Sequence, residues 1–193
     1  MDLLPPVIDL GDLTLRRFTD ADLAELFQVI GESLEHLSPW MPWAADHSLI
    51  ATAEFLARRP GRWAGGDFTY AITLDGAIVG TCSLFRGEVT RGAGRGIGYW
   101  LHPAATGRGI AARAARALAD EAFRLPGVDY VEIVHDPANR ASGAVAARLG
   151  FTPHGRRPAE RLAPAETGEE QVWRLTRPRT ATSGTGSPVR TAK

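Results

Sequence analysis

The stretch that decides the fold is Gly98-Tyr-Trp-Leu-His-Pro-Ala-Ala-Thr-Gly-Arg-Gly-Ile-Ala-Ala-Arg-Ala-Ala-Arg-Ala-Leu-Ala119. Residues 99–101 favour a strand, and Pro103 ends it because proline has no N–H to donate to a sheet. Gly107 and Gly109 then let the backbone approach an anion closely, and the alanine-rich helix that follows directs its unpaired N–H groups at that anion. The stretch therefore predicts a strand, a turn and a helix that together bind a diphosphate, without naming the cofactor that carries it.

Two other interpretations of this turn stay open at the level of the residues. A two-glycine turn also serves as a plain connection between a strand and a helix. Residues 107–112 further match the dinucleotide fingerprint G-x-G-x-x-A, and Glu132 lies about 20 residues further on, as that fingerprint requires. In a nicotinamide-binding unit, however, the glycines follow the strand directly, whereas residues 102–106 intervene here. The context therefore favours a different diphosphate-bearing cofactor.

The rest of the chain alternates between strand and helix patterns. Strands are predicted at residues 13–18, 68–74, 77–85, 130–134, from 151 onward and at 171–176, with a hairpin turn at Asp75-Gly76. Helices are predicted from the capping box at 19–22 to Gly31, from Ser48 to just before Pro60, after the glycine turn, and at 142–149. Residues 87–94 are predicted to form a loop. From Pro178 the chain is rich in Ser, Thr, Gly and Pro, which predicts one domain over residues 1–177 and a disordered tail over 178–193.

Three segments carry a resemblance to a known family. Thr106-Gly107-Arg108-Gly109-Ile110-Ala111 resembles the Arg/Gln-x-x-Gly-x-Gly/Ala pyrophosphate loop of the GCN5-related N-acetyltransferases (GNAT), with Thr106 in place of Arg or Gln. Asn139-Arg140-Ala141-Ser142, followed by Leu149-Gly150-Phe151, resembles the second cofactor helix of that family. His36-Leu37-Ser38-Pro39-Trp40-Met41-Pro42-Trp43 resembles a segment of the Rim-type branch, whose members acetylate the N-termini of ribosomal proteins. The resemblance covers residues 13–177.

The resemblance implies an α/β (α+β) protein with the GNAT fold. Its central sheet would be mixed but mostly antiparallel, with six or seven strands and about four flanking helices. Two parallel strands, residues 97–101 and 131–135, would splay apart and leave a gap for the pantetheine arm of acetyl-CoA. The implied contacts to acetyl-CoA come from Tyr99, Trp100, Leu101, Thr106, Gly107, Arg108, Gly109, Ile110, Ala111 and Asn139.

The same resemblance suggests which residue assists the departing thiolate. Many relatives place a tyrosine seven residues after the asparagine, but Ala146 stands there in this chain. In the Rim-type branch a serine at the position of Ser142 takes this role. Ser142 and Asn139 are also residues that favour the first turn of a helix, so a capping role remains an alternative for both. Because Ala146 leaves no other local donor, we expect Ser142 to act on the thiolate.

The general base is less well defined by the sequence. Relatives often carry a glutamate where this chain has Gly96, so that candidate is absent. Glu160 lies close to the catalytic carboxylate of Rim-type enzymes, although an ungapped count places Arg161 there. His102, at the end of the cofactor strand, is a second candidate base. Glu32, Glu35 and His36 are further candidates, and a base relayed through water is another.

The acceptor side is predicted to involve Glu32, His36, Trp40 and Trp43, with Met41 nearby. Trp40, Met41 and Trp43 either form a rigid lid over the pocket or belong to the core.

Composition limits the remaining function classes. The chain has 193 residues with 22 basic and 22 acidic side chains, so no nucleic-acid or membrane partner is indicated. A single cysteine, Cys82, argues against a disulfide framework or a Cys-rich metal site, and no metal is predicted. No leader is recognised and no apolar run approaches the ~20 residues of a membrane span, which predicts a cytoplasmic protein. We expect it to be a monomer or a homodimer.

Four functions follow from these patterns. The first is an acetyl-CoA-dependent N-acetyltransferase that acts on a primary amine, either a protein or peptide N-terminus or a small molecule. The second is an acyltransferase of the same fold with a larger donor such as succinyl-CoA. The third is an acyl-CoA-binding module without turnover, since Thr106, Gly96 and Ala146 all depart from the pattern of the family. The fourth is the nicotinamide enzyme.

Overall fold

The computed structural model describes residues 4–86 and 93–178. Its four helices are α1 (Leu23–Leu37), α2 (Leu49–Ala64), α3 (Ile110–Arg124) and α4 (Arg140–Arg148). Its eight strands are β1 (Val7–Asp9), β2 (Leu13–Arg17), β3 (Phe68–Leu74), β4 (Ala77–Phe85), β5 (Gly94–Leu101), β6 (Tyr130–His135), β7 (Thr152–Pro158) and β8 (Glu169–Thr176). Most of the predicted loop at 87–94, and the predicted tail beyond residue 178, lie outside the described residues.

The strands form one sheet in the order β1-β2-β3-β4-β5-β6-β8-β7. Every neighbouring pair is antiparallel except β5 and β6, which are parallel. The predicted GNAT fold, with its mostly antiparallel sheet and one parallel pair, is thereby confirmed. The sheet has eight strands, one more than the upper number expected, because β1 was not predicted. β1 has only three residues. Such a short edge segment carries no alternating pattern that a sequence could reveal.

The parallel pair separates partway along its length. β5 and β6 pair from Gly94 opposite Tyr130 to Gly96 opposite Glu132, and their pairing ends there although both strands continue. Residues 97–101 stay hydrogen-bonded to β4 on their other side. Residues 133–135 likewise remain paired with β8. The predicted gap between the two strands is therefore present, and each strand presents one unpaired edge to it.

Two of the predicted helix ends are wrong. Gly31 does not end α1, which continues to Leu37 because Leu34 and Leu37 extend its apolar face. Pro60 lies inside α2, which continues to Ala64. A proline within a helix costs about 3 kcal/mol, but loss of a buried tryptophan costs about 3–5 kcal/mol. Trp63 is buried against Phe68 and Tyr70, so packing outweighs the local penalty.

The helices cover both faces of the sheet. α3 packs on one face through a stripe of small residues, which lets the helix lie close to the strands. α1 and α2 cover the opposite face, where Leu26, Ile30 and Leu56 pack with Ala71 and Ile78. The first turn of α3 is thereby held at the open end of the gap between β5 and β6.

Arg177 holds the end of β8, and this contact allows a test of the domain boundary. Its backbone N–H donates to the Asp129 carbonyl at 2.7 Å, and its guanidinium donates to the carbonyls of Val128 and Leu125 at 2.9 and 3.1 Å. A chain ending at Arg177 keeps all three hydrogen bonds, so we expect its melting temperature and its acetyl transfer rate to equal those of the full chain.

The matched control is a chain that ends at Thr176 and loses those three bonds. Each contributes about 0.5–1.5 kcal/mol, which corresponds to a fall of roughly 5 °C or more in a protein of this size. Thermal unfolding monitored by circular dichroism measures both chains. A fall of several degrees for the chain that ends at Arg177 would show that residues beyond it stabilise the domain.

Candidate active site

The turn before α3 has the geometry of an anion-binding site. Gly107 and Gly109 have φ angles of +71° and +76°, a region that other residues rarely adopt. Gly109 is the N-cap of α3, and the Arg113 amide donates to its carbonyl at 3.0 Å. The amides of the first helical turn, which precede Arg113, have no partner within the helix. The Thr106 hydroxyl is used locally, because it donates to the Pro103 carbonyl at 2.7 Å.

A cavity of about 710 Å³ runs from this turn through the gap between β5 and β6. The residues predicted from the sequence that line it are His36, Trp40, Tyr99, Trp100, Leu101, Thr106, Gly107, Gly109, Ile110, Ala111, Asn139, Ser142 and Glu160. Four other predicted residues, Glu32, Trp43, His102 and Arg108, lie outside its walls. The fold thus brings most of the predicted residues together around one cavity.

The N-terminus of α4 forms one wall of this cavity. Asn139 is the N-cap, and its side-chain oxygen accepts the Ser142 amide at 3.2 Å. Ser142 lies in the first turn of α4, so its hydroxyl is not the cap. That hydroxyl lies 3.1 Å from the hydroxyl of Tyr99, which reaches across the gap from β5. Burial raises the pKa of Tyr99 to about 12, so its phenol stays protonated at neutral pH.

The expectation that Ser142 is the sole local hydroxyl is wrong. Ala146 is fully buried and has no donor, as the sequence shows, but Tyr99 supplies a second hydroxyl beside Ser142. The two residues are 43 positions apart in the chain. Their contact depends on how far β5 and β6 separate, and no sequence pattern reports that distance.

Four glutamates line the cavity near β7 and β8, and three of them are engaged elsewhere. Glu166 accepts the backbone amides of Leu162 and Ala163 at 2.6 and 2.8 Å. Glu170 pairs with Arg157, and Glu169 lies 3.7 Å from Arg156. Glu160 is exposed and has no hydrogen bond or ion pair among the residues that the structure describes. Of the four, Glu160 is therefore the one whose carboxylate is not engaged by another described residue.

The histidines differ in how they are bound. His102 lies outside the cavity, where its Nδ1 accepts the Ala104 amide at 3.2 Å and its Nε2 lies 3.3 Å from Glu32. His135, which the sequence analysis missed, lines the cavity at the end of β6. Its Nε2 accepts the indole N–H of Trp173 at 2.9 Å, and its Nδ1 lies 2.7 Å from the Asp136 carbonyl. Both nitrogens of each ring are thus occupied, whereas His36 is exposed at the cavity wall.

The missing glutamate at position 96 also has a structural explanation. A Cβ added at Gly96 would lie 2.4 Å from the ring of Phe85, which fills that space. No carboxylate can therefore project from this position without displacing the aromatic ring. Glu132, the residue that the dinucleotide fingerprint would assign to a ribose, is buried and bonded to Arg174 at 2.6 and 2.9 Å.

Two further features of the described residues concern metal ions and membranes. Residues 4–86 and 93–178 contain no group of three or more His, Cys, Asp or Glu side chains placed to hold a metal ion. Across the same ranges, every helix is too short or too polar to cross a bilayer.

Comparisons with known proteins agree with this geometry. The family description "Acetyltransferase (GNAT) domain" matches residues 12–152. A putative ribosomal N-acetyltransferase, YdaF of Bacillus subtilis (strain 168), is 28% identical over 148 residues, covering 75% of this chain and 80% of that protein. The microcin C7 self-immunity acetyltransferase MccE, solved with acetyl-CoA and AMP, superposes with a TM-score of 0.81 at 22% identity, covering 91% of this chain and 98% of MccE. RimJ of Mycobacterium smegmatis, solved with CoA-disulfide, gives a TM-score of 0.73 at 25% identity over 85% of this chain and 81% of RimJ.

A sheet split at one parallel pair, with a helix N-terminus at the mouth of the split, is the architecture that the family resemblance implies for an acyl-CoA-dependent transferase. The chain belongs to the GNAT acetyltransferase family, and it is an N-acetyltransferase that uses acetyl-CoA. The nicotinamide interpretation is excluded, because a short 3₁₀ turn separates β5 from the glycines and β5 pairs antiparallel with β4.

Proposed function

We propose that the protein acetylates the N-terminal amine of a protein or peptide by direct attack while acetyl-CoA is bound beside it. The observation that carries this proposal is the single cavity lined both by the turn before α3 and by Glu160 and Trp40. Both substrates can therefore meet without a covalent enzyme intermediate. The ribosomal N-acetyltransferase name of the Bacillus relative supports a protein acceptor.

The donor half of the cavity fits the parts of acetyl-CoA in order. The amides of the first turn of α3 would hold the diphosphate, since they are unpaired and lie at the positive end of the helix dipole. The free edge of residues 97–101 would bond the amide groups of the pantetheine arm, as a neighbouring strand would. Acetyl-CoA supplies an activated acetyl group as a thioester. A backbone N–H of β5 would stabilise the negative charge that develops on the thioester oxygen.

The acceptor half supplies the remaining chemistry. Glu160 would take the proton that the amine must lose, directly or through a water molecule. The amine nitrogen forms a bond to the acetyl carbon and the carbon–sulfur bond breaks. The proton that Glu160 has taken then passes through solvent to the sulfur, which regenerates the carboxylate. The hydroxyl of Ser142 would donate a hydrogen bond to the sulfur as it departs. Trp40 and Met41 would contact the first side chain of the acceptor peptide.

The acceptor is tested by intact mass spectrometry of a substrate panel incubated with acetyl-CoA. The panel contains peptides that begin with Ser, Ala or Met, the same peptides with a formylated N-terminus and an internal lysine, and small primary amines. We expect a gain of one acetyl group on the free N-terminus and none on the formylated peptides. Exclusive modification of small amines, or of lysine, would contradict the peptide acceptor.

Controls separate the other functions. If thermal shifts show that acetyl-CoA binds but no peptide in the panel gains mass, the proposed peptide acceptor is overturned. A parallel panel with succinyl-CoA tests the larger donor. Glu160→Gln should lower the rate near neutral pH and regain much of it above the amine pKa of about 7.7–8.0, where the acceptor deprotonates unaided. A rate for Glu160→Gln equal to wild type at every pH would remove Glu160 as the base.

A further inference from the structure

Tyr99 and Ser142 approach each other across the gap where the two strands have separated. Tyr99 comes from β5 and Ser142 from the first turn of α4, and both line the cavity. The Tyr99 hydroxyl lies 3.1 Å from the Ser142 hydroxyl, where either oxygen can be the donor. It also lies 3.3 Å from the Ser142 carbonyl, which can only accept. The two hydroxyls therefore form a pair at the place where the family resemblance puts the departing thiolate.

We propose that Tyr99 is a positioning residue. It donates its one hydrogen bond in the shorter of these two contacts, to the Ser142 hydroxyl, and thereby leaves the Ser142 O–H to donate a hydrogen bond to the departing sulfur. This inference rests on the proposed role of Ser142. A hydroxyl that accepts one hydrogen bond becomes a stronger donor in the next, because chains of hydrogen bonds polarise one another. Tyr99 would also restrict the rotation of the serine hydroxyl, so that less rotational entropy is lost when the transition state forms.

The contact is not needed to build α4. The N-terminal turn of that helix is already fixed by Asn139, whose side chain accepts the Ser142 amide and whose carbonyl accepts the Gly143 amide at 3.3 Å. The ring of His135 also packs directly on Gly143, where an added Cβ would lie 3.1 Å from it. Loss of the Tyr99 hydroxyl should therefore leave the helix in place and change only the hydroxyl pair.

The proton balance shows that Tyr99 donates a hydrogen bond and keeps its proton. A thiol has a pKa of about 8.5 in water, whereas burial raises the pKa of Tyr99 to about 12. Transfer from the phenol to the thiolate would therefore run uphill. The sulfur finally receives the proton that the amine releases, and both hydroxyls stay protonated while they stabilise the developing charge.

The test is a double-mutant cycle with Tyr99→Phe, Ser142→Ala and the double variant. Tyr99→Phe should lower kcat about tenfold, the value of roughly one net hydrogen bond, with KM and Kd for acetyl-CoA within twofold of wild type. Because Tyr99 acts through Ser142, the double variant should be no slower than Ser142→Ala alone. Calorimetry with CoA and thermal unfolding check that binding and folding are intact.

Tyr70→Phe is the matched control for loss of a buried tyrosine hydroxyl. The Tyr70 hydroxyl donates to the Pro5 carbonyl at 2.8 Å, and Tyr70 does not line the cavity. We expect Tyr70→Phe to lower the melting temperature while kcat stays at the wild-type value. Tyr99→Phe should show the opposite split, with kcat lowered and the melting temperature nearly unchanged.

Each remaining outcome identifies which idea fails. A wild-type kcat for Tyr99→Phe, with Ser142→Ala slow, overturns the role of Tyr99 and leaves the proposed function standing. A double variant slower than Ser142→Ala by a further tenfold overturns action through Ser142. A wild-type rate for Ser142→Ala removes the serine role itself, and Tyr99 then has nothing to position. A CoA affinity lowered tenfold in Tyr99→Phe makes the tyrosine a binding residue and also overturns the inference.

Discussion

Gly109→Asp is expected to lower the affinity for acetyl-CoA at least about 100-fold. Gly109 caps α3 with a φ of +76°, and nothing lies within 4 Å of a Cβ added there, so the side chain would point into the open mouth of the turn. Its carboxylate would lie beside the proposed diphosphate. Two like charges about 4 Å apart repel by about 4 kcal/mol at an effective dielectric constant of 20. Isothermal titration calorimetry with acetyl-CoA measures the loss.

Two variants isolate the charge from the backbone. Gly109→Asn introduces a side chain of the same size without the charge, and asparagine tolerates positive φ better than most residues. It should therefore bind acetyl-CoA better than Gly109→Asp by a factor of ten or more, because its side chain does not repel the diphosphate. Gly127→Asp places the same change at another open glycine, with φ of +71°, that does not line the cavity. Equal affinities for Gly109→Asp and wild type would show that the diphosphate binds elsewhere.

Ser142→Ala is expected to lower kcat about 100-fold, with little change in the affinity for acetyl-CoA. The hydroxyl acts only while the carbon–sulfur bond breaks, so its removal costs transition-state stabilisation rather than binding. Removing one hydrogen-bond donor aimed at a developing negative charge costs about 10²–10³-fold in kcat, and a thiolate is a good enough leaving group to place the effect at the low end. Steady-state thiol release at saturating acetyl-CoA measures kcat.

Ser142→Cys keeps a weak donor and should give a rate between those of wild type and Ser142→Ala. Asn139 caps α4 independently of the serine side chain, so neither variant should lower the melting temperature by more than one or two degrees. A full wild-type rate for Ser142→Ala would leave the serine as an ordinary residue of the first helical turn.

The backbone features around the site that the sequence indicates depend on local chemistry. Gly107 and Gly109 are needed for their positive φ, and Asn139 is a cap for the helix that follows it. Each of these roles depends on residues within a few positions. The predicted ends of α1 and α2 are wrong because Leu37 and Trp63 are buried, Trp63 against Phe68 and Tyr70 of the strand that follows. The residues next to Gly31 and Pro60 give no indication of that packing.

The contacts that distinguish one hydroxyl or carboxylate from another are long-range. Tyr99 meets Ser142 only because the sheet opens beyond Gly96. Glu170 is paired because the register of β7 against β8 places Arg157 opposite it, whereas Glu160 lies beyond the end of β7. A change of register by two residues would place Arg157 opposite Gly168 or Val172 and break this pair without altering any sequence motif. Such details require the three-dimensional structure.

The separation of β5 from β6 gives this sheet an edge in its interior. An exposed sheet edge normally invites another polypeptide to pair with it, and proteins protect their outer edges against such aggregation. Here the free edge lies in the interior of the sheet, and α3 and α4 pack on the two strands that flank it. A narrow, linear molecule with amide groups along its length, such as the pantetheine arm, is suited to pair with such an edge. In the proposed binding mode, acetyl-CoA would therefore satisfy the backbone groups that the sheet itself leaves unpaired.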